Sequence, residues 1–291
     1  MSHPDACVVK LKPTYTIQRK VTRKGIGLFT GKESEITLAP LPEGSGVFFQ
    51  RLDLPGSPKF PLGLSLVQGT PRCTIVGDSL FSVQTVEHLM AALNAFDMNN
   101  LLIQLSGPEV PIFDGSALSF VEMIEEGGVI SLGEKEVFFL QKPLFVSKGD
   151  THLVALPSEE FRISYTLHYP SSDCIGTQFY SVVVGKDTFI KEIAPCRTFS
   201  VYEEVAPLIE KGFLKGGNLD NAVVIKDNQV MNPGGLRLPG EMVRHKILDM
   251  IGDLYLMGVS FSAHILAIRS GHHANNMLAN ELLNYFKKGS V

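Results

Sequence analysis

Cysteine is scarce in this chain of 291 residues, and the four that occur are far apart. They are Cys7, Cys73, Cys174 and Cys196, with no Cys-x-x-Cys pair among them. This spacing argues against a disulfide framework and against a zinc knuckle held by thiolates. A bound metal would therefore need histidine and carboxylate ligands.

The sequence also lacks an excess of basic residues and a long apolar run. It has 26 Lys and Arg against 30 Asp and Glu, a formal net charge of −4. Nucleic-acid binding needs clustered Lys and Arg, so the composition argues against that class. No apolar stretch approaches the roughly 18 residues that span a bilayer, and residues 1–12 do not resemble a signal peptide. We therefore expect a cytoplasmic protein without a membrane span.

Hydrophobic periodicity predicts two α+β halves with the same order of elements: strands, then a helix, then a strand. The elements predicted for the first half are strands within Tyr15–Leu38, a helix over Ser82–Phe96 capped by Ser82, a strand over Asn100–Leu105 and a helix over Leu118–Glu126. Those predicted for the second half are strands Val137–Leu140, Leu153–Leu156, Arg162–Leu167 and Tyr180–Val184, helices Val201–Lys211 and Pro239–Met257, and a strand His264–Arg269. Glycine-rich residues 127–136 are the predicted linker.

A short sequence echo favours a duplicated domain. Val86-Glu-His88 and Val243-Arg-His245 each lie in the predicted helix before a half's last strand. Duplication with a histidine on each helix predicts that His88 and His245 meet at an interface between the halves.

The helix predicted over Pro239–Met257 carries three polar residues spaced by one turn. His245, Asp249 and Asp253 lie at successive i+4 positions, opposite an apolar sector. An imidazole and a carboxylate one turn apart can converge on one cation. The same pattern is also typical of the solvated face of a surface helix.

His88 is a candidate third ligand, although a lone helix histidine is also typical of a surface or a core. With His245 and Asp249 it would form a two-His, one-carboxylate site that leaves a fourth position for water on tetrahedral zinc. Such a site favours hydrolysis, because bound zinc acidifies its water and polarises a carbonyl. Glu87, beside His88, is then the candidate general base.

Two further segments carry candidate catalytic groups. Ser270–His273 follows a predicted strand, and one of its histidines could protonate a leaving amine while Asp253 holds the imidazolium. A polar turn with two exposed histidines is the alternative. Thr198 offers a hydroxyl to a carbonyl oxygen, or is an ordinary helix cap.

Five motifs together resemble those of the UDP-3-O-acyl-N-acetylglucosamine deacetylases, the zinc amidases of lipid A biosynthesis. They are Thr85–Leu89, Ile112–Ser116, Cys196–Phe199, Val243–Asp253 and Ser270–His272. The likeness runs in order through both halves, from about Gln18 to Phe286. The combination is far more specific than any one motif.

The resemblance implies a role for each of ten residues. They are zinc ligands His88, His245 and Asp249, general base Glu87, general acid or electrostatic stabiliser His272 supported by Asp253, oxyanion donors Thr198 and Lys246, sugar contact Phe199, and diphosphate contact Arg269. Arg269 stands where relatives often have lysine, and both side chains donate to phosphate. Asp114 matches a family position with a structural or supporting role.

The implied fold is α+β, with two related domains that each have a β-sheet and two α-helices, the helices packed between the sheets in a sandwich. Residues 1–130 form the N-terminal domain that supplies Glu87 and His88, and residues 131–291 the C-terminal domain with the remaining ligands and His272. An acyl-chain insert is expected within Val201–Val224. Its apolar members are either passage or ordinary core: Leu208, Ile209, Phe213 and Leu214.

The resemblance implies hydrolysis of the N-acetyl group of UDP-3-O-(3-hydroxyacyl)-N-acetylglucosamine by a zinc enzyme. We expect a monomer, although the sequence leaves the oligomeric state and peripheral membrane contact open. A His2Asp site also accepts iron or cobalt, so the metal in the cell stays open too. One alternative is a non-catalytic relative that keeps the metal and binds a nucleotide sugar. Another is a zinc hydrolase that acts on a different acylated amine.

Overall fold

The computed structural model describes residues 8–78 and 80–289, so Cys7 lies outside the described residues. The elements of the first half are β1 (Val8–Ile17), β2 (Val21–Ile26), β3 (Glu33–Pro40), β4 (Val47–Arg51), β5 (Lys59–Pro61), a 3-10 turn (Leu64–Leu66), β6 (Val67–Gly69), β7 (Ile75–Gly77), β8 (Ser82–Gln84), α1 (Glu87–Ala95), β9 (Leu101–Leu105) and α2 (Leu118–Gly127).

The second half begins with a long strand and ends with a long helix. Its elements are β10 (Val129–Phe139), β11 (Leu144–Lys148), β12 (Thr151–Leu156), β13 (Arg162–Tyr169), β14 (Gly176–Val183), α3 (Lys186–Thr188), a π turn (Phe189–Ile193), β15 (Phe199–Val201), α4 (Tyr202–Glu210), β16 (Val223–Lys226), β17 (Gln229–Val230), α5 (Glu241–Tyr255), β18 (Ser260–Ser262), β19 (His264–Ile268) and α6 (His272–Gly289).

Each half contains a five-stranded sheet, and the two sheets share one strand plan. Their orders are β2-β3-β9-β4-β5 and β11-β12-β19-β13-β14. In each sheet the last strand of the half lies in the centre, parallel to one neighbour and antiparallel to the other. Two copies of one topology are what a duplicated domain predicts.

The helices lie between the two sheets. α2 packs on β2 and β3, α6 on β11 and β12, and α5 on β13 and β14, while α1 packs against α5 at the centre. The α+β sandwich expected from the sequence is therefore confirmed. No helix of the described residues is both long enough and apolar enough to cross a bilayer.

α1 and α5 are buried on nearly all sides. A helix that is buried all round has no solvated face. The alternative of a solvated polar face for His245, Asp249 and Asp253 is therefore wrong: each is at most 3% exposed.

Three expectations about local structure are corrected. Residues 127–136 are not a linker, because most of them belong to β10, which pairs with β1 of the first half and β18 of the second. Ser82 does not cap α1, since it lies in β8 and the helix begins at Glu87. α6 was not expected, although Leu278, Leu282 and Phe286 are buried at helical spacing.

Candidate active site

Glu87 and His88 lie in the first turn of α1, where a sharp bend leads out of β8. Thr85 makes the bend with a φ of 61°, a conformation that β-branched residues rarely adopt. Its hydroxyl donates to Glu109 Oε1 at 3.1 Å, which holds the bend in place. Strain of this kind persists where the surrounding structure fixes it, and it is common at functional sites. Glu87 and His88 are each 3% exposed.

α5 places its polar row against this turn. The imidazole rings of His88 and His245 are nearly perpendicular, with centroids 4.9 Å apart. His88, His245 and Asp249 each offer one ligand atom, and the three atoms lie within 4.8 Å of one another. The structure thus brings together the three residues predicted as metal ligands, from both halves of the chain.

The donor atoms of these residues fit a divalent cation. His245 Nε2 lies 3.3 Å from Asp249 Oδ1, and His88 Nε2 lies 3.8 Å from the same oxygen. His245 Nδ1 donates to the carbonyl of Cys196 at 3.0 Å, which leaves the lone pair on Nε2. His88 Nδ1 is buried and has no hydrogen-bond partner among residues 8–78 and 80–289. The three residues therefore form a candidate metal site.

Burial sets the protonation states that a metal requires. Burial and the neighbouring His245 lower the pKa of His88 to about 3. Burial also lowers the pKa of His245, so both imidazoles are neutral at pH 7. The pKa of Asp249 is lowered as well, because Lys246 and the histidines outweigh the effect of burial. Neutral imidazoles and a carboxylate are the ligand forms that bind zinc.

Glu87 points into the same centre. Burial raises the pKa of Glu87 to about 7, although the charge of His272 opposes the rise. Its Oε2 accepts a hydrogen bond from the backbone N–H of Thr74 at 3.0 Å. A carboxylate whose pKa lies near 7 is suited to take a proton at neutral pH.

His272 begins α6 and faces Glu87. Its Nδ1 donates to Asp253 Oδ2 at 2.9 Å, and its Nε2 lies 3.8 Å from Glu87 Oε1. Burial acts to lower the pKa of His272, but Asp253 and Glu87 outweigh it and raise the value to about 9. The alternative of two exposed histidines is therefore wrong for His272, while His273 is exposed.

The other predicted site residues line one cavity of about 700 Å³ that contains this centre: Thr198, Phe199, Lys246 and Arg269. Lys246 Nζ donates to Asp249 Oδ2 at 2.7 Å. Thr198 precedes β15, and α4 begins four residues later, so its interpretation as a helix cap is wrong. Asp114 accepts a hydrogen bond from the Ser116 hydroxyl and forms an ion pair with Arg237, with 2.7 Å between Oδ2 and Nη1. It does not line the cavity.

A second cavity of about 360 Å³ adjoins the first. The two linings share five residues: Leu28, Phe29, Arg72, Thr198 and Phe199. Its lining is largely apolar. Of the four apolar residues predicted for the insert, Ile209 and Leu214 line it, and Leu208 and Phe213 do not.

Thr74 and Asn275 contact the catalytic candidates but were missed by reasoning from the sequence. Asn275 Nδ2 donates to Asp253 Oδ2 at 2.8 Å, and the Thr74 hydroxyl donates to Asp253 Oδ1 at 2.6 Å. A helix predicted from His272 would have placed Asn275 near it at i+3. Thr74 lies in a loop and leaves no local signal.

Comparisons with known proteins identify the family of the chain. A family model described as UDP-3-O-acyl N-acetylglycosamine deacetylase matches residues 14–284. A protein of Chlamydia pneumoniae named UDP-3-O-acyl-N-acetylglucosamine deacetylase is 46% identical over 270 residues, which cover 92% of this chain and 96% of the relative.

Two relatives with the same name are similarly close. The protein of Chlamydia felis is 44% identical over 269 residues, covering 92% of this chain and 96% of the relative. The protein of Chlamydia muridarum is 46% identical over 269 residues, which cover 92% of this chain and 94% of the relative. Because both the family model and these relatives match along nearly the whole chain, the chain belongs to the UDP-3-O-acyl N-acetylglycosamine deacetylase family.

Proposed function

We propose that the chain hydrolyses the N-acetyl group of UDP-3-O-(3-hydroxyacyl)-N-acetylglucosamine and releases acetate, as a step of lipid A biosynthesis. The observation that carries the proposal is the position of Glu87 and His272. His272 Nε2 lies 3.8 Å from Glu87 Oε1. Both groups lie beside the candidate metal site formed by His88, His245 and Asp249. Amide hydrolysis needs a base for the water and an acid for the amine, and both groups are present.

We propose zinc as the ion held by His88, His245 and Asp249. Two imidazoles and one carboxylate form the ligand set of several catalytic zinc sites, which keep a further position open. A zinc ion bound there would polarise the substrate carbonyl and lower the pKa of water toward about 7. The family membership supports a metal, and the donor set supports zinc among the candidates.

Glu87 and His272 divide the proton transfers between them. Glu87 takes a proton from the attacking water as the new C–O bond forms. His272 gives the proton on Nε2 to the sugar nitrogen as the C–N bond breaks, so the products are acetate and an amine. Asp253, bonded to Nδ1, holds the imidazole with Nε2 toward the substrate.

Lys246 and Thr198 are the proposed donors to the carbonyl oxygen, on which negative charge develops during attack. Both line the main cavity. Burial alone would lower the pKa of Lys246, but Asp249 and other neighbours raise it, so the amine stays charged. A fixed positive charge next to a developing oxyanion stabilises the transition state more than the neutral ground state.

The cavities suit the two ends of this substrate. The main cavity carries cationic side chains of Lys148 and Arg269, which suit a diphosphate, and Phe199, which suits the sugar. The adjoining apolar cavity suits the acyl chain. We propose residues 1–130 and 131–291 as the two domains. We also propose the cytoplasm as the location. That the protein is a monomer, and that it binds no nucleic acid, both stay predictions.

The proposal is tested with protein stripped of metal and titrated with zinc, using the UDP-3-O-acyl-N-acetylglucosamine substrate. Activity should return at one zinc per chain. Glu87→Ala should bind zinc equally and lose most turnover, by about 10²–10⁴-fold. Glu122→Gln, an exposed glutamate paired with Arg23, is the matched control and should keep full activity. Stoichiometric zinc binding without turnover in the wild-type protein would overturn the deacetylase assignment and leave the metal site.

A further inference from the structure

Thr74 contacts both carboxylates that serve the proton transfers. It lies between β6 and β7 and has no exposed surface. Its backbone N–H donates to Glu87 Oε2 at 3.0 Å, and its hydroxyl donates to Asp253 Oδ1 at 2.6 Å. One residue of the first half thus links α1 to α5.

Three hydrogen bonds and one contact of 3.8 Å link Thr74, Asp253, His272 and Glu87 in a ring. Asp253 Oδ2 accepts from His272 Nδ1, and His272 Nε2 lies near Glu87 Oε1. Thr74 therefore binds the oxygen of each carboxylate that faces away from His272. The other oxygen of Glu87 and of Asp253 is left directed at the imidazole.

The two bonds fix different parts of the site. The hydroxyl of Thr74 holds Oδ1 of the buried Asp253 carboxylate, Asn275 holds Oδ2, and that carboxylate sets the plane of the His272 ring. The backbone N–H fixes the Glu87 carboxylate. Because both donors belong to one residue, covalent geometry limits how far the base and the acid can move apart. Catalysis is sensitive to displacements of this kind, of the order of 1 Å.

We propose that Thr74 is a positioning residue that sets the arrangement of Glu87 relative to His272, an inference that rests on the proposed deacetylase function. Thr74 does not touch the metal ligands through any hydrogen bond of the described residues. Its side chain acts on the reaction through Asp253 and His272, so its loss should slow turnover without weakening substrate or zinc binding.

Thr74→Val and Thr74→Ser test the hydroxyl. Valine keeps the shape and the backbone N–H but removes the donor, whereas serine keeps the donor. Thr74→Val should lower kcat about 10- to 100-fold, the range for a hydrogen bond to a buried charge, with KM and zinc content unchanged. Thr74→Ser should recover most of kcat. Thr74→Ala removes the same donor with less bulk and replaces valine if that variant does not fold.

Thr16→Val is the matched control. Thr16 is also buried, and its hydroxyl donates to the carbonyl of Asn100 away from both cavities. This variant should lose stability and keep kcat. A drop in kcat that merely follows stability would therefore appear in both variants.

A double-mutant cycle separates positioning from a structural role. In a His272→Ala background, Thr74→Val should lower the residual rate by less than about twofold, because the imidazole that Asp253 and Thr74 position is already absent. A full additional loss, a Thr74→Ser variant as slow as Thr74→Val, or a Thr74→Val variant with wild-type kcat would each overturn the inference and leave the deacetylase assignment intact. An inactive wild-type protein would overturn the assignment itself, and the inference with it.

Discussion

Gly252 of α5 lies directly against the main chain of Glu87 in α1, where an added Cβ would come to 2.0 Å from the Glu87 carbonyl oxygen. No Cβ can occupy that position without moving one of the helices. Glycine therefore allows the two central helices to cross closely. This crossing brings Glu87 and His88 within reach of His245 and Asp249.

Gly252→Ala should force α1 and α5 apart. Alanine normally stabilises a helix by about 1 kcal/mol relative to glycine. Here overpacking should outweigh that gain and destabilise the fold by about 1–3 kcal/mol, with loss of metal affinity and turnover. Gly234→Ala, at a position with open space around it, is the control and should be neutral. Urea unfolding and metal titration of both variants measure the effect. A Gly252→Ala variant as stable and active as the wild type would contradict the close crossing.

The ligand row on α5 was predictable because helical spacing is a local property. His245, Asp249 and Asp253 lie one turn apart in any helix. Which way that row faces depends on packing between α1 and α5, which joins residues more than 150 positions apart. The sequence pattern was therefore equally compatible with a solvated face, and only the fold shows that the row is buried.

Other parts of the site depend on contacts that leave no local pattern. Thr74 lies in a loop and becomes relevant only through hydrogen bonds to α1 and α5. The glycines of residues 127–136 indicated a linker, but the segment is ordered by pairing with β1, far away in sequence. Gly133 adopts a φ of 158° within that strand, next to a bulge in the β1 pairing. The glycines of this segment therefore belong to an irregular strand and not to a linker.

His245→Ala should remove the metal. It deletes a ligand and leaves His88 and Asp249, which form too small a set to hold an ion tightly. Affinity for zinc should fall by more than the roughly 10–100-fold that follows loss of a residue that only supports a ligand. Metal analysis of the purified protein and competition with a chelator measure it. His264→Ala is the control and should keep one ion per chain. His264 lies on β19 and is hydrogen-bonded to Ser164 of β13. Equal metal content in the two variants would refute the ligand assignment.

The charge on His272 should stabilise the metal-free protein at low pH. Burial acts against the charged ring, but the negative charges of Asp253, Glu87 and Asp249 outweigh it and raise the folded-state pKa of His272 from 6.5 to about 9. The folded state therefore binds the proton more tightly than the unfolded state. The stabilisation is fully present below about pH 6.5 and is lost as the pH rises through about 9. Urea titrations of metal-stripped protein measure the free energy of unfolding at each pH. The value for the wild type minus the value for His272→Gln should fall as the pH rises from about 6.5 to about 9. His273→Gln, at the exposed neighbour, should show no such change, and a flat difference for His272 would refute the prediction.

Ile209→Asp should impair long acyl chains selectively. Ile209 lines the apolar cavity, and a carboxylate there would have to lose hydration when a chain fills the space. Each buried methylene contributes about 0.8 kcal/mol, so kcat/KM for a long-chain substrate should fall by about tenfold or more while a short-chain analogue is unaffected. Phe213→Asp is the matched control, because Phe213 is a similarly exposed apolar residue of the same segment that does not line the cavity. Steady-state kinetics with both substrates decides the matter. An equal loss for long and short chains, or an equal loss in the Phe213 variant, would show that the cavity is not the acyl site.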